Sequence, residues 1–134
     1  MLELCGSLKQ ETPDAYIQTH LNETLSEIAE VKKMYPWSKH YLDVYDRYGL
    51  VTDRSIFGHC IHMETQELQL MKQKDAIISW CPTSNNFLGS GLFKPQQILD
   101  YYHKVTLGSD WGAGNSLCML SVLDEAYKVA MLNN

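Results

Sequence analysis

The sequence predicts an α/β fold of parallel strands, on two observations. Four short apolar runs of strand type recur along the chain, and segments of helical patterning lie between them. Strand and helix in repeated alternation imply parallel strands joined by right-handed crossovers. The first strand is expected over residues 15–19 (AYIQT), where Tyr16 and Ile17 suit a pleated surface. Asn22 then stands where a helix cap belongs. Leu25, Ile28, Ala29 and Val31 form the apolar face of a helix to about Met34, with Pro36 beyond its end. A second helix is expected over residues 38–48, stopped by Gly49. Residues 55–58 (SIFG) and 76–80 (AIISW) are the next two strands, and Met63, Leu68 and Met71 mark a helix over 63–72 between them. Pro95 opens a helix through residue 103, residues 105–107 (VTL) form the fourth strand, and 116–132 is a long apolar helix. Residues 82–94 (PTSNNFLGSGLFK) follow the third strand directly, and their Asn, Ser and Gly content predicts a surface loop of functional length.

The 134 residues suit one domain with a sizeable core. A net charge of −5, with no basic cluster beyond the Lys32–Lys33 pair, argues against a nucleic-acid partner. The start MLELCGSLKQE has neither a basic n-region nor an apolar run long enough for a signal peptide or membrane span, so a cytoplasmic protein without membrane contact is expected. Cys5, Cys60, Cys81 and Cys118 are scattered without a C-x-x-C pair. They read as free, mostly buried thiols rather than a disulfide framework or structural zinc site.

The polar residues gather at one place in this scheme. His20 follows AYIQT, His59 follows SIFG and Asp110 follows VTLGS, each at the carboxyl end of a strand. In a parallel sheet those ends share one side, where α/β sites are built from several strands. Two histidines and a carboxylate are also a ligand set for a divalent metal such as zinc. The same residues have ordinary uses: a strand-end histidine can be a hydrogen-bonded loop residue, and Asp in GSDWGAG can make an Asx-turn. Glu23, three residues after His20, is either a charge placed at the positive end of a helix or a carboxylate sharing a pocket with that histidine. GSDWGAG is glycine-rich like a phosphate cradle but lacks the Lys-Ser/Thr that follows one. His62 is expected at the turn into the next helix, His40 and His103 at the surface, and Trp37 and Tyr41 packed on neighbouring helices.

THLNE, FGHC, WCPTSNNFLGSGLF and LGSDWGAGNSLCML, in this order, resemble the guanine deaminases of the amidohydrolase superfamily from about Pro13 to the C-terminus. The resemblance implies a (β/α)8 TIM-type barrel that holds one Zn2+ and uses water to convert guanine to xanthine and ammonia. It implies that His20, from the fifth strand, and Asp110, from the eighth, ligate the metal and border the substrate-binding site. Asp110 would also accept the proton of the attacking water. His59, from the sixth strand, resembles the histidine that orients the hydroxide and stabilises the developing alkoxide, and Glu23 the glutamate that shuttles protons. It implies homodimers for full-length members. Two further readings stay open: a related aminohydrolase acting on another purine or a triazine-like ring, and a non-catalytic relic or interaction fragment.

The sequence also departs from that family. Its histidines read TH, KH, GHC, IHM and YHK, so the His-x-His pair of the family's first strand is absent. Trp80 stands where many relatives have histidine, and Ser109 replaces a common threonine. Residues 1–134 therefore correspond to the C-terminal part of the barrel domain, roughly strands five to eight. A closed barrel needs about 200 residues or more, so two open strand edges are expected, with the other half required to cover them.

Overall fold

A computed structural model describes residues 1–133 of the chain. Among these, seven helices and four strands follow in the order α1 (Leu2–Glu11), β1 (Ile17–Leu21), α2 (Leu25–Met34), α3 (Leu42–Arg47), β2 (Ser55–His59), α4 (Thr65–Lys74), β3 (Ile77–Trp80), α5 (Pro82–Leu88), α6 (Pro95–Leu99), β4 (Val105–Leu107) and α7 (Met119–Leu132). The strands form one parallel sheet in the order β1-β2-β3-β4, so every neighbour is reached by a helical crossover, as the α/β pattern predicts. No helix of the described residues is long and apolar enough to cross a membrane.

The sheet and its helices share one core. Phe57 on β2 and Ile78 on β3 are fully buried, as are Leu68 and Met71 on α4 and Leu42 on α3. Trp80 stacks on Phe93 with ring centroids 4.4 Å apart, sealing the far end of β3 beneath the segment after α5. Such packing fixes the strands, and with them everything mounted on their carboxyl ends.

The differences from the sequence expectation lie at element boundaries, and each has a local cause. Strand β1 begins and ends two residues later than AYIQT suggests, because Ile17 donates to Arg54 and the Leu21 carbonyl still accepts from Cys60. His20 therefore lies inside the strand. Thr24, not Asn22, caps α2: its Oγ1 accepts from the Glu27 N–H at 3.1 Å, and the Glu27 carboxylate reaches back in a capping box. The expected helix over 38–48 is reduced to α3, because Asp43 takes the Lys39 and His40 amides at 2.9 and 2.8 Å and holds that stretch as a turn. Helices α4 and α7 start later than expected and α6 ends earlier. Residues 82–94 are not all loop, since Pro82 opens α5 at its first turn and Gly89, with φ of 71°, ends it. All four cysteines are free, but only Cys60 and Cys81 are buried. His103 is exposed, whereas His40 is half-buried with Nδ1 3.4 Å from Glu64, so it is not the unpartnered surface residue expected. Trp37 stays 43 % exposed, set against Tyr35 and under the Arg47 guanidinium.

Asn22, displaced from the capping role, has another. It is buried in the left-handed region with φ of 51°, a conformation Asn tolerates better than most residues. Its Nδ2 donates to the buried Glu67 carboxylate at 2.8 Å, which also accepts the Leu42 and Glu64 amides. Asn22→Ala combines a strained backbone with a lost bond to a buried charge, and is expected to cost about 2–4 kcal/mol, read as a lower urea midpoint. A change within about 0.5 kcal/mol, the range of surface substitutions, would show the contact to be replaceable.

Candidate active site at the carboxyl edge of the sheet

The backbone itself marks this edge. Among the described residues five non-glycine residues have positive φ, and four lie in the last strand position or within three residues past a strand end: Asn22, His59, Cys60 and Asp110, with φ of 51°, 69°, 52° and 46°. Left-handed backbone at such positions re-aims side chains and recurs at functional sites. At His59 it ends the β2 alternation and turns the ring into the buried layer, where it is 2 % exposed.

Three of the predicted residues meet there. Ligand atoms of His20, Glu23 and His59 all lie within 4.8 Å of one another. His59 Nε2 is 3.6 Å from Glu23 Oε2, and the His20 and His59 rings meet edge-on with centroids 5.1 Å apart. Their meeting follows from register, because β1 pairs with β2 so that His20 lies opposite Gly58 and Leu21 opposite His59. Even a Cβ at position 58 would meet the His20 ring only in ordinary van der Waals contact, 3.5 Å from Cδ2.

Glu23 answers the choice left open by the sequence in a structural sense. It precedes the Thr24 cap, so the first-turn carboxylate of α2 is Glu27, held by the Glu23 and Thr24 amides and by the Tyr41 hydroxyl. The Glu23 side chain turns instead to the sheet edge. Its Oε1 accepts from the Ser90 hydroxyl at 2.8 Å while Oε2 faces His59.

Asp110 stands apart from the close group of three, on the turn after β4. Its charge still acts on the site: burial pushes the His59 imidazole below its ordinary pKa, while the Glu23 and Asp110 carboxylates pull it back up. Burial, reinforced by Asp110, lifts the Cys81 thiol to about 11, so that sulfur is held protonated. Gly108 and Gly114 beside Asp110 serve packing, while Gly112 serves a backbone φ of 112°. A side chain at Gly108 would meet Ser79 Oγ at 2.8 Å and Cys81 Sγ at 3.0 Å, so only glycine lets this turn lie against β3. The Ala113 and Gly114 amides are both bonded to the Asp110 carbonyl, which leaves them unavailable for a phosphate.

Two residues here received no role from the sequence. Asn85 Nδ2 is 2.8 Å from His59 Nδ1, and Ser90 holds Glu23. Both belong to CPTSNNFLGSG, and the signal that could have found them was Pro82 as a helix start, which would have turned the following residues back toward the sheet edge. The solvent-accessible His20 imidazole and the Asp110 carboxylate are of the donor types that a zinc-type cation accepts.

Comparison with known proteins gives the chain its relatives. The amidohydrolase family profile matches residues 1–134. The guanine deaminase of Escherichia coli K12 is 46 % identical over 131 residues, covering 98 % of this chain and 30 % of the relative. A solved structure of guanine deaminase from C. acetobutylicum, with guanine in its active site, matches with a TM-score of 0.94 at 35 % identity, covering 98 % of this chain and 31 % of that one. An adenosine deaminase from Xanthomonas campestris with bound zinc matches with a TM-score of 0.87 at 28 % identity, covering 98 % and 29 %. The chain thus spans about 30 % of the length of these proteins.

Proposed function

Because the chain belongs to the amidohydrolase family, we propose that it supplies strands five to eight of a guanine deaminase barrel, acting in the cytoplasm on guanine to give xanthine and ammonia. The observation that carries this reading is the convergence of His20, Glu23 and His59 at the carboxyl edge. The completed enzyme is then these residues together with barrel strands one to four and the His-x-His pair. The four free cysteines support a reducing compartment.

His20 and Asp110 would hold a zinc ion, which when bound supplies a water acidified from about 15.7 to near 7. Asp110 takes the proton that the water gives up. The oxygen bonds to the amine-bearing carbon of guanine, and a ring nitrogen must gain a proton as that carbon becomes tetrahedral. Glu23 in its acid form would deliver it, take up the hydroxyl proton of the tetrahedral carbon and pass that proton to the amine so that the carbon–nitrogen bond breaks and ammonia leaves, and the proton held by Asp110 would then return Glu23 to its acid form. The Ser90 hydroxyl fixes one Glu23 oxygen and leaves the other turned toward His59 and the reacting centre. Metal analysis with a guanine deamination assay, with and without a complementing polypeptide bearing strands one to four, tests the reading. Metal-loaded completed enzyme that leaves guanine unchanged would overturn it.

The isolated chain should bind zinc weakly, because protein zinc sites generally use three or four protein ligands and this reading gives it two. Titration against a chromogenic chelator measures this. Retention of one zinc per chain against a nanomolar competitor would mean that Glu23 or His59 joins the ligand set.

A further inference from the structure

Asn85 is 1 % exposed, and its side-chain amide spends its one hydrogen bond on His59 Nδ1. A neutral imidazole carries a single N–H, so whatever occupies Nδ1 decides what Nε2 can do. If the amide N–H donates to Nδ1, the ring proton sits on Nε2. If the amide is turned over so that its carbonyl accepts from Nδ1–H, Nε2 is left with a lone pair. Either orientation leaves one buried amide atom unpaired, as Oδ1 is here, so the amide alone does not choose. The choice comes from the other side of the ring. Glu23 Oε2 lies 3.6 Å from Nε2, where it attracts an N–H and repels a lone pair.

We propose that Asn85 is a positioning residue that holds His59 in the Nε2–H tautomer selected by Glu23, its amide N–H filling Nδ1, so that His59 meets the reacting oxygen as a hydrogen-bond donor and never as a metal ligand. The fold makes this lock rigid. The Asn85 carbonyl accepts from the Ser90 N–H at 2.9 Å, so one chain reversal around Gly89 carries both the partner of His59 and the partner of Glu23. Its consequence for turnover rests on the deaminase reading, while the tautomer is a property of the chain itself.

Magic-angle-spinning ¹⁵N NMR of the histidine-labelled, metal-free chain reads the tautomer directly and tolerates self-association. The His59 signals are assigned by their loss in His59→Gln. The parent should show a pyridine-type Nδ1 and a pyrrole-type Nε2. Asn85→Asp, whose carboxylate only accepts, should put a proton on Nδ1 and remove its pyridine-type signal. A parent with the proton on Nδ1, or an unchanged pattern in Asn85→Asp, overturns the inference, and the parent spectrum decides even if the variant does not fold. In the completed enzyme Asn85→Asp should lower kcat about 10²-fold or more and leave KM within about twofold, because wrong protonation of the ring damages the chemical step and not binding. Parent-like kcat in this variant also overturns the positioning role. A parent chain with the Nε2–H tautomer whose completed enzyme never turns over guanine supports the tautomer and removes the deaminase reading.

Discussion

Glu23→Gln in the completed enzyme should retain its metal and lose about 10²- to 10⁴-fold in turnover, the usual worth of a general acid–base group. The substitution keeps the size of the side chain and leaves the amide oxygen able to accept from the Ser90 hydroxyl, which now binds Glu23 at 2.8 Å. What it removes is the capacity to take and return a proton. Helix α2 should be unaffected, because its capping box is made by Thr24 and Glu27 and does not use the Glu23 carboxylate. That separation makes the experiment clean: a loss of rate cannot be blamed on a lost helix start. His20→Ala should behave differently and lose the metal, since it removes a ligand rather than a proton carrier. Steady-state assays for xanthine with metal content measured on the same samples distinguish the two. Turnover of guanine at near the parent rate by Glu23→Gln would leave Glu23 a partner of Ser90 and His59 with no part in the chemistry.

The sequence carried the sheet well because each strand is a short apolar run and parallel order follows from the intervening helices. It also brought His20, His59 and Asp110 to one edge, because strand ends are a matter of order along the chain. The local geometry was less legible. Asn22 and Thr24 are both good caps, and the choice between them was made by Glu67, a residue 45 positions away that claims the Asn22 amide. The turn of His59 into the buried layer depends on a positive φ at a residue that ordinarily avoids it, which composition does not announce. Asn85 and Ser90 lie 26 and 67 positions from their partners, and their roles come from the reversal at Gly89. Short-range pattern fixed the elements, and long-range hydrogen bonds aimed the side chains.

The chain by itself should not deaminate guanine, and it should associate in solution. Chemically, it has no His-x-His pair, so half of the metal shell proposed for the completed site is not in its sequence, and loss of a zinc ligand commonly removes the activated water. Physically, β1 pairs only with β2 and β4 only with β3 among the described residues, which leaves backbone donors and acceptors unpaired along both edges. Apolar surface accompanies them. The face of α7 opposite its buried Val122, Ala126 and Val129 presents Leu120, Leu123 and Tyr127, each more than half exposed. Closing the barrel would pair both strand edges. Co-expression with a separate polypeptide carrying strands one to four and the His-x-His pair should therefore yield a soluble complex that forms xanthine, because the 134 residues open on α1 and a break made there interrupts no strand. Size-exclusion chromatography follows the association and a xanthine assay follows the chemistry. Xanthine formation by the 134-residue chain alone, at a rate abolished by His20→Ala, would sink the half-barrel account and mean that copies of this chain, or the close group of His20, Glu23 and His59, rebuild the site unaided.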